Sequence, residues 1–241
     1  MPINRNLTSE QILLRESVRK FAEEVIKPKA LEYDEKEEFS YEITNQMAEM
    51  GFLGAFLPEE YGGSGLDYLS YIIVVEELAR IDGSQAATVA AHNSLGIGPI
   101  YNFGSQEQKE KYLPQLAAGK LWGFGLTEQE AGSDAGNTQT RAYEDFNDWI
   151  INGSKIFITN ASTDITLGST ILTVSGQQHD GRKEFTSIIV ENGTPGYETR
   201  EMSGKMMWRA SNTSELYLHD CRVPITNTLG KKGDGFKQML A

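Results

Sequence analysis

The chain has 241 residues, of which 39% are hydrophobic and 23% charged, a balance typical of a soluble globular protein with one or two domains. Its net charge of −12 argues against nucleic acid as a partner. The longest aliphatic run, Ile72 to Val75, is far shorter than a membrane span, and no secretory signal is visible. A single cysteine, Cys221, excludes an internal disulfide and favours a cytoplasmic location.

The first 120 residues have the spacing of amphipathic helices. A capping box of Thr8 with Gln11 predicts the start of the first helix, and Pro28 is where its regular pattern is expected to weaken. A second capping box, at the start of the last of these helices, gives the same signal. The later helices are predicted over Ser40–Met50, around Tyr71, Val75 and Leu78 up to Gly83, from Ser84 through an alanine-rich run, and from Ser105 to Gly119.

From Leu121 onward the hydrophobic period changes toward two, which is typical of β-strands. The pair Asn152-Gly153 lies between two apolar runs and predicts a hairpin turn. The predicted fold class is therefore α+β, with an N-terminal α-helical bundle over residues 1–120 and a β-barrel or sandwich over 121–225. Further strands are predicted at Thr170–Val174, Phe185–Val190 and Glu215–Leu218.

The last residues have the pattern of another helix. Phe236, Met239 and Leu240 give an apolar face, yet seven residues from Gly235 to Ala241 are too few to hold a helix alone. We therefore expect residues 226–241 to begin a truncated helical domain and the chain to be a fragment of a longer protein.

Two kinds of site find no support in the motifs. The run Gly123-Phe-Gly125-Leu-Thr-Glu128 half-matches a dinucleotide-binding loop, but Glu128 replaces the third glycine and no βαβ context surrounds it. The three histidines lie far apart without metal-ligand spacing, so no metal site and no catalytic histidine is predicted. They are His92, His179 and His219.

The segment Thr127–Asp134 places hydroxyls, acids and one glycine in a loop after a strand-like run. Such a loop can direct N–H groups and a hydroxyl at the polar edge of a ligand. Further along, Phe157 and Thr159 put an aromatic face beside another hydroxyl. The residues indicate either a site for a planar, polar-edged ligand or an ordinary β-turn with a cross-strand aromatic.

Several stretches together resemble the acyl-CoA dehydrogenase family. They occur in the family's order and spacing and span most of the chain: LPEEYGGSGLDYLSYIIVVEELARID, AHNSLGIGPIYNFGSQEQKEKYLPQLAAGKLWGFGLTEQEAGSD, WIINGSKIFITNAS, MMWRASNTSELYLHDCRVP and GDGFKQML. The resemblance implies the family's N-terminal helical domain and middle β-barrel, with its C-terminal helical bundle missing here. Gln129 departs from the family's Thr-Glu-Pro, and Met207 replaces a common glycine.

The resemblance also implies residue roles and a cofactor, FAD. It assigns to FAD contacts Phe124, Leu126, Thr127, Gly132, Ser133, Phe157 and Thr159, with Gly132 and Ser133 near the pyrophosphate. It assigns to acyl-CoA contacts Ser133, Thr88, Ala91 and Leu95. No metal ligand is implied.

The activity implied is FAD-dependent α,β-dehydrogenation of an acyl-CoA thioester to the trans-2-enoyl-CoA in fatty acid β-oxidation, with electrons passing to an electron-transfer flavoprotein. The family's base is a glutamate in the C-terminal bundle, so no catalytic residue is assigned, and neither Glu128 nor Glu130 matches it. The 241 residues alone are expected to bind FAD weakly and to be inactive, and the whole protein to be a homotetramer.

Two alternatives remain open from the sequence. The first is an oxygen-using acyl-CoA oxidase or flavin monooxygenase of the same superfamily, because the loop residues do not distinguish electron acceptors. The second is a non-catalytic binding module, against which the retained Thr127, Ser133 and Thr159 argue.

Overall fold

The computed structural model describes residues 7–239, and the first half of this range is helical. Single π-helical turns over Ala22–Ile26 and His92–Ile97 each join one α-helix to the next without a break. The chain therefore stays helical through Pro28, which lies in the first turn of α2, where its missing N–H is tolerated. The helices are α1 (Ser9–Phe21), α2 (Lys27–Lys36), α3 (Tyr41–Glu49), α4 (Tyr68–Ala79), α5 (Gly83–Ala91), α6 (Gly98–Phe103) and α7 (Gln106–Ala117).

Local side-chain chemistry fixes the helix starts as predicted. The backbone N–H of Gln11 donates to Thr8 Oγ1 at 3.2 Å, and the Gln11 side chain accepts from the Thr8 backbone. The same reciprocal pair is present at the start of α7, and Ser40 caps α3 by accepting from Ile43 N. Each cap satisfies donors that the first helical turn leaves unpaired.

The helical core lies between α1, α3, α4 and α5. Val18, Ile43, Met47 and Leu78 are fully buried in it. One charged group enters from α4: the buried carboxylate of Glu77, which Arg19 of α1 binds through two hydrogen bonds of 2.6 and 2.9 Å.

The second half is a curled β-sheet. In the part of the chain described, seven strands form one sheet in the order β1-β4-β2-β3-β7-β6, with β5 paired to β4. The pairs β1–β4 and β2–β4 are parallel and the others antiparallel. The sheet encloses its own apolar core as a half-barrel, so the predicted α+β fold is confirmed. The strands are β1 (Leu121–Gly125), β2 (Arg141–Asp145), β3 (Asp148–Thr159), β4 (Thr166–Gln177), β5 (Lys183–Glu191), β6 (Tyr197–Glu201) and β7 (Thr213–Pro224).

The predicted hairpin turn at Asn152-Gly153 is wrong. β3 runs straight through both residues, and the register against β7 shifts there as a bulge. The Asn152 side chain exchanges hydrogen bonds with Asp220 across the pair, and a Cβ on Gly153 would lie 2.6 Å from Thr140 Oγ1. Asn152 and Gly153 therefore form a bulge in β3 and allow Thr140 to approach closely. The turn that joins β2 to β3 follows Asp145 instead.

The helices and the sheet share a second core at their junction. The Trp122 ring lies 4.9 Å from the Tyr112 ring of α7, and its Nε1 donates to Thr170 Oγ1 at 3.0 Å. A last short helix, α8 (Gly235–Met239), packs on β4 and β5, whereas Leu240 and Ala241 lie outside the described residues. None of the helices within residues 7–239 is long and apolar enough to cross a bilayer.

Candidate functional site

Strand β1 carries the predicted ligand loop away from the junction. A Cβ on Gly123 would lie 2.3 Å from Ser169 Oγ, and one on Gly125 would lie 2.7 Å from Ile171 Cδ1. A side chain at either position would force a neighbouring β4 side chain to shift, so the two glycines allow β1 to pack closely against β4. Phe124 between them remains half-buried and faces the cavity described below.

A bulge in β3 presents Phe157 from the other side. Lys155 pairs with Leu216 and Ile158 with Ser214, so two residues of β3 oppose one of β7. Phe157 has a left-handed backbone, with φ at 64°, and its side chain is 61% exposed. This conformation costs a bulky residue on the order of 1–3 kcal/mol and concentrates at ligand sites.

A cavity of about 220 Å³ lies where these two strands meet the helical domain. It gathers five of the seven residues predicted to contact FAD and two of the four predicted to contact the substrate. The predicted residues that line it are Phe124, Leu126, Thr127, Phe157, Thr159, Ala91 and Leu95, and the lining also includes Trp122, Ile158 and Met239.

The cavity has two polar positions on an otherwise apolar and aromatic wall. Thr127 and Thr159 are half-buried, and within residues 7–239 neither hydroxyl has a hydrogen-bond partner. A hydroxyl held without a partner in a half-buried site is available to a ligand. This donor set fits a planar aromatic ring with polar edge atoms, such as the flavin ring that the resemblance implies.

Three predicted residues lie elsewhere. Gly132 and Ser133 are exposed on the turn beyond the cavity, and a Cβ on Gly132 would touch nothing within 4 Å. Thr88 is buried, and its hydroxyl donates to Ser84 O at 3.1 Å. The Thr88 carbonyl accepts from Asn160 Nδ2 at 3.0 Å, so this residue links α5 to the end of β3.

Sequence reasoning missed an ion pair directly behind the cavity. Lys155 Nζ lies 2.7 Å from Glu128 Oε1 and donates to Leu126 O at 3.1 Å. The Glu128 carboxylate also accepts from the backbone N–H groups of Gln139 and Thr140, at 2.6 and 3.1 Å. The only sequence signal was a lysine within an apolar strand, and nothing local to it indicated the partner.

The two charges of this pair shift each other's pKa. Burial lowers the pKa of Lys155 to about 8, although Glu128 opposes this shift. Burial alone raises the pKa of Glu128, but Lys155 and the donors from Thr140 and Gln139 outweigh it, so the net pKa is lowered. Glu128 is therefore an ionised carboxylate whose two oxygens both accept hydrogen bonds, and it does not line the cavity.

The sheet and its junction with the helices hold two further cavities. One, of about 230 Å³, shares Leu95, Phe124 and Met239 with the first and is walled by aromatic side chains that include Phe56 and Tyr71. The other, of about 510 Å³, lies beside the loop and carries the cations Arg141 and Lys183 with several hydroxyl and amide groups. Among the described residues no group of three or more His, Cys, Asp or Glu side chains could hold a metal ion.

A helical bundle packed on a curled sheet, with an aromatic and hydroxyl-edged cavity where they meet, defines the class: a two-domain protein core built to hold a planar ligand. Residues 8–120 match the acyl-CoA dehydrogenase N-terminal domain, and residues 123–221 match the acyl-CoA dehydrogenase middle domain. The chain belongs to the acyl-CoA dehydrogenase family.

Among its relatives is a probable acyl-CoA dehydrogenase, YngJ, of Bacillus subtilis, which is 45% identical over 99% of this chain and 62% of the relative. The butyryl-CoA dehydrogenase structure from Megasphaera elsdenii superposes with a TM-score of 0.90 at 39% identity, over 98% of this chain and 62% of that one. The chain thus spans less than two thirds of the length of these proteins.

Two other solved structures bear on the cofactor and the partner. An acyl-CoA dehydrogenase from Bacillus anthracis, complexed with FAD, has a TM-score of 0.88 at 36% identity over 98% of this chain and 40% of that one. A chain in the structure described as the electron transferring flavoprotein of Acidaminococcus fermentans has a TM-score of 0.90 at 40% identity, over 98% and 62%. FAD, the cofactor implied by the sequence, is therefore bound by a protein of this fold and family.

Proposed function

We propose that this protein provides the flavin-facing and thioester-facing walls of an FAD-dependent acyl-CoA dehydrogenase. The observation that carries the proposal is the single cavity that unites Phe124, Leu126, Thr127, Phe157 and Thr159, with two hydroxyls that lack partners. When bound there, FAD supplies the hydride acceptor for α,β-dehydrogenation of the acyl thioester to the trans-2-enoyl-CoA.

The residues of the chain would orient the reactants. Phe157 and Phe124 offer flat apolar surfaces against a ring system, and Thr127 and Thr159 offer hydrogen bonds to its edge. The aromatic cavity that shares Leu95 with this site is the proposed place for the acyl chain, and its restricted volume of about 230 Å³ supports a short chain. The butyryl-CoA dehydrogenase similarity supports the same substrate class.

The anionic part of the thioester needs cations. The 510 Å³ cavity beside the loop provides Arg141, which has no ion-pair partner among residues 7–239, and Lys183. We propose that CoA phosphates lie there, with exposed Ser133 on the turn between the two sites. No residue described here is assigned as the base: Glu128, the nearest buried carboxylate, is committed to Lys155 and two backbone amides.

We further propose an electron acceptor, an assembly, a metabolic role and a location. Transfer of electrons to an electron-transfer flavoprotein is supported by the similarity to the Acidaminococcus fermentans structure. A homotetramer, a role in fatty acid β-oxidation and a cytoplasmic location rest on the family resemblance and, for location, on the lone buried Cys221.

The test is an anaerobic visible spectrum of the FAD-loaded, native-length gene product before and after addition of butyryl-CoA. Loss of the flavin absorption supports the dehydrogenase, and persistence of the colour with every chain length contradicts it. Rapid recovery of the colour in air would favour an oxygen-using oxidase or monooxygenase, and failure to bind FAD would favour a non-catalytic module.

Thr159→Val refines the test, because it removes one cavity hydroxyl while it keeps the side-chain shape. We expect FAD to dissociate about three- to tenfold more readily, which is the worth of one hydrogen bond. Thr199→Val on β6, at the opposite edge of the sheet, is the matched control and should leave FAD affinity unchanged.

A further inference from the structure

The buried Glu128–Lys155 pair has no part in the proposed contacts to flavin or thioester, yet it lies directly behind them. The Lys155 side chain is 0% exposed and passes beneath the end of β1, where a Cβ on Gly125 would lie 3.3 Å from Lys155 Cγ. From there the ammonium reaches the carbonyl of Leu126, the residue that precedes Thr127 in the cavity wall.

The carboxylate extends the same connection to a third segment. Glu128 accepts from the amides of Gln139 and Thr140, which lead into β2. One cation and one anion therefore fasten three backbone segments: the end of β1, the turn that follows it and the approach to β2. Ile156, next to Lys155, donates its own N–H to Thr127 O at 2.9 Å, so the bulge that carries Phe157 is tied to the same loop.

Stability alone does not account for this arrangement. A buried ion pair has a desolvation cost that often equals its attraction, and apolar residues of similar volume commonly stabilise a fold as well or better. Apolar residues cannot, however, satisfy the Leu126 carbonyl and the two amides of Gln139 and Thr140. What this pair adds is a fixed position for the backbone that forms one wall of the cavity.

We propose that Glu128 and Lys155 are positioning residues for flavin binding, which hold the 126–128 backbone and the Phe157 bulge in the geometry that accepts the cofactor. The inference rests on the proposed function. It goes beyond that function, because neither Glu128 nor Lys155 lines the cavity. Each would act on FAD binding only through the backbone groups that it holds in place.

Three variants of the full chain separate positioning from mere folding. Lys155→Met keeps the buried stem and leaves Glu128 without its cation. The double variant Glu128→Leu/Lys155→Met removes both charges and leaves the backbone groups without partners. Glu77→Gln is the matched control, since it disrupts the other ion pair with a buried carboxylate, in the helical domain.

The measurements are the denaturant midpoint, the FAD dissociation constant by flavin fluorescence, and hydrogen exchange at the Gln139 and Thr140 amides. We expect Lys155→Met to lower both the midpoint and the FAD affinity, the latter at least tenfold. The double variant should be more stable than Lys155→Met, because it no longer buries an unpaired carboxylate, while its FAD affinity stays at least tenfold weak and both amides exchange at least tenfold faster. Glu77→Gln should lower the midpoint with FAD affinity unchanged.

Wild-type FAD affinity in the double variant would overturn the inference, as would a tenfold loss in Glu77→Gln, because the effect would then follow global stability. If the unsubstituted protein binds no FAD, the proposed function fails and the positioning role for flavin fails with it. Hydrogen exchange distinguishes the causes: faster exchange in the double variant would still show the pair fastening the loop, and unchanged exchange would refute that as well.

Discussion

Acidification should destabilise this protein through one buried histidine. His92 opens the π-helical turn after α5 and is 0% exposed. Its Nε2 lies 3.1 Å from Leu116 O, and because a carbonyl only accepts, Nε2 carries the proton. Nδ1 has no partner among the described residues, so a second proton there would be buried without an acceptor.

The size and sign of the effect follow from the pKa. Burial lowers the pKa of His92 from the ordinary 6.5 to about 4, while the hydrogen bond to Leu116 opposes the shift. The unfolded chain therefore binds more protons than the folded one between these values. The contribution of His92 to stability is fully present above about pH 6.5 and is lost as the pH falls through 4, by about 2 kcal/mol at pH 5 and about 3 kcal/mol below pH 4.

The assay is urea unfolding of the protein and of His92→Gln at about pH 7.5 and about pH 5. The glutamine amide can replace the Nε2 donor toward Leu116 but does not titrate. We expect the unsubstituted protein to lose about 2 kcal/mol more than the variant between the two pH values. Taking this difference cancels the titration of all other groups. Equal pH dependence in both proteins would refute the reasoning.

Two more predictions concern stability, measured as the free energy of unfolding in denaturant. Glu77→Gln should cost about 2 kcal/mol, because it weakens two charge-assisted bonds to Arg19 at a buried carboxylate, and a cost near zero would show that solvent compensates the loss. Gly153→Ala should cost about 3 kcal/mol, since its Cβ would lie 2.6 Å from Thr140 Oγ1 at a φ of 146°. Gly193→Ala, at a φ of 85° with open space around it, is the control and should cost clearly less.

The sequence predicted best what is decided by neighbours along the chain. The capping boxes at Thr8 and Ser105 need only the residue three positions on, and both are formed as predicted. The Asn152-Gly153 turn failed because the same two residues serve contacts with Asp220 and Thr140, which no local pattern reports. The turn propensity of a residue pair is overridden where contacts with a distant segment stabilise another backbone conformation of the same residues.

The ion pair behind the cavity shows the same limit for a functional site. Lys155 lies in an apolar strand, and its partner Glu128 lies 27 residues earlier in a loop, so only the fold brings them within 2.7 Å. A buried lysine in such a strand signals a carboxylate partner, because an unpaired ammonium there is too costly. The signal states that a partner exists but not which of 34 acidic residues it is.

The residues alone left the cavity undecided between a ligand site and an ordinary β-turn, and the reason is physical. Its walls are built from departures from regular structure: the packed glycines beside Phe124 in β1, the bulge that presents Phe157 in β3, and the π-helical turn that carries Leu95. Hydrophobic periodicity predicts regular helices and strands, and it does not predict bulges, π-helical turns or closely packed glycines. Each departure lacks the regular backbone pairing that would otherwise stabilise that segment, so other contacts must stabilise it. For the β1 loop and the β3 bulge, these contacts are the hydrogen bonds made by Lys155 and its neighbour Ile156.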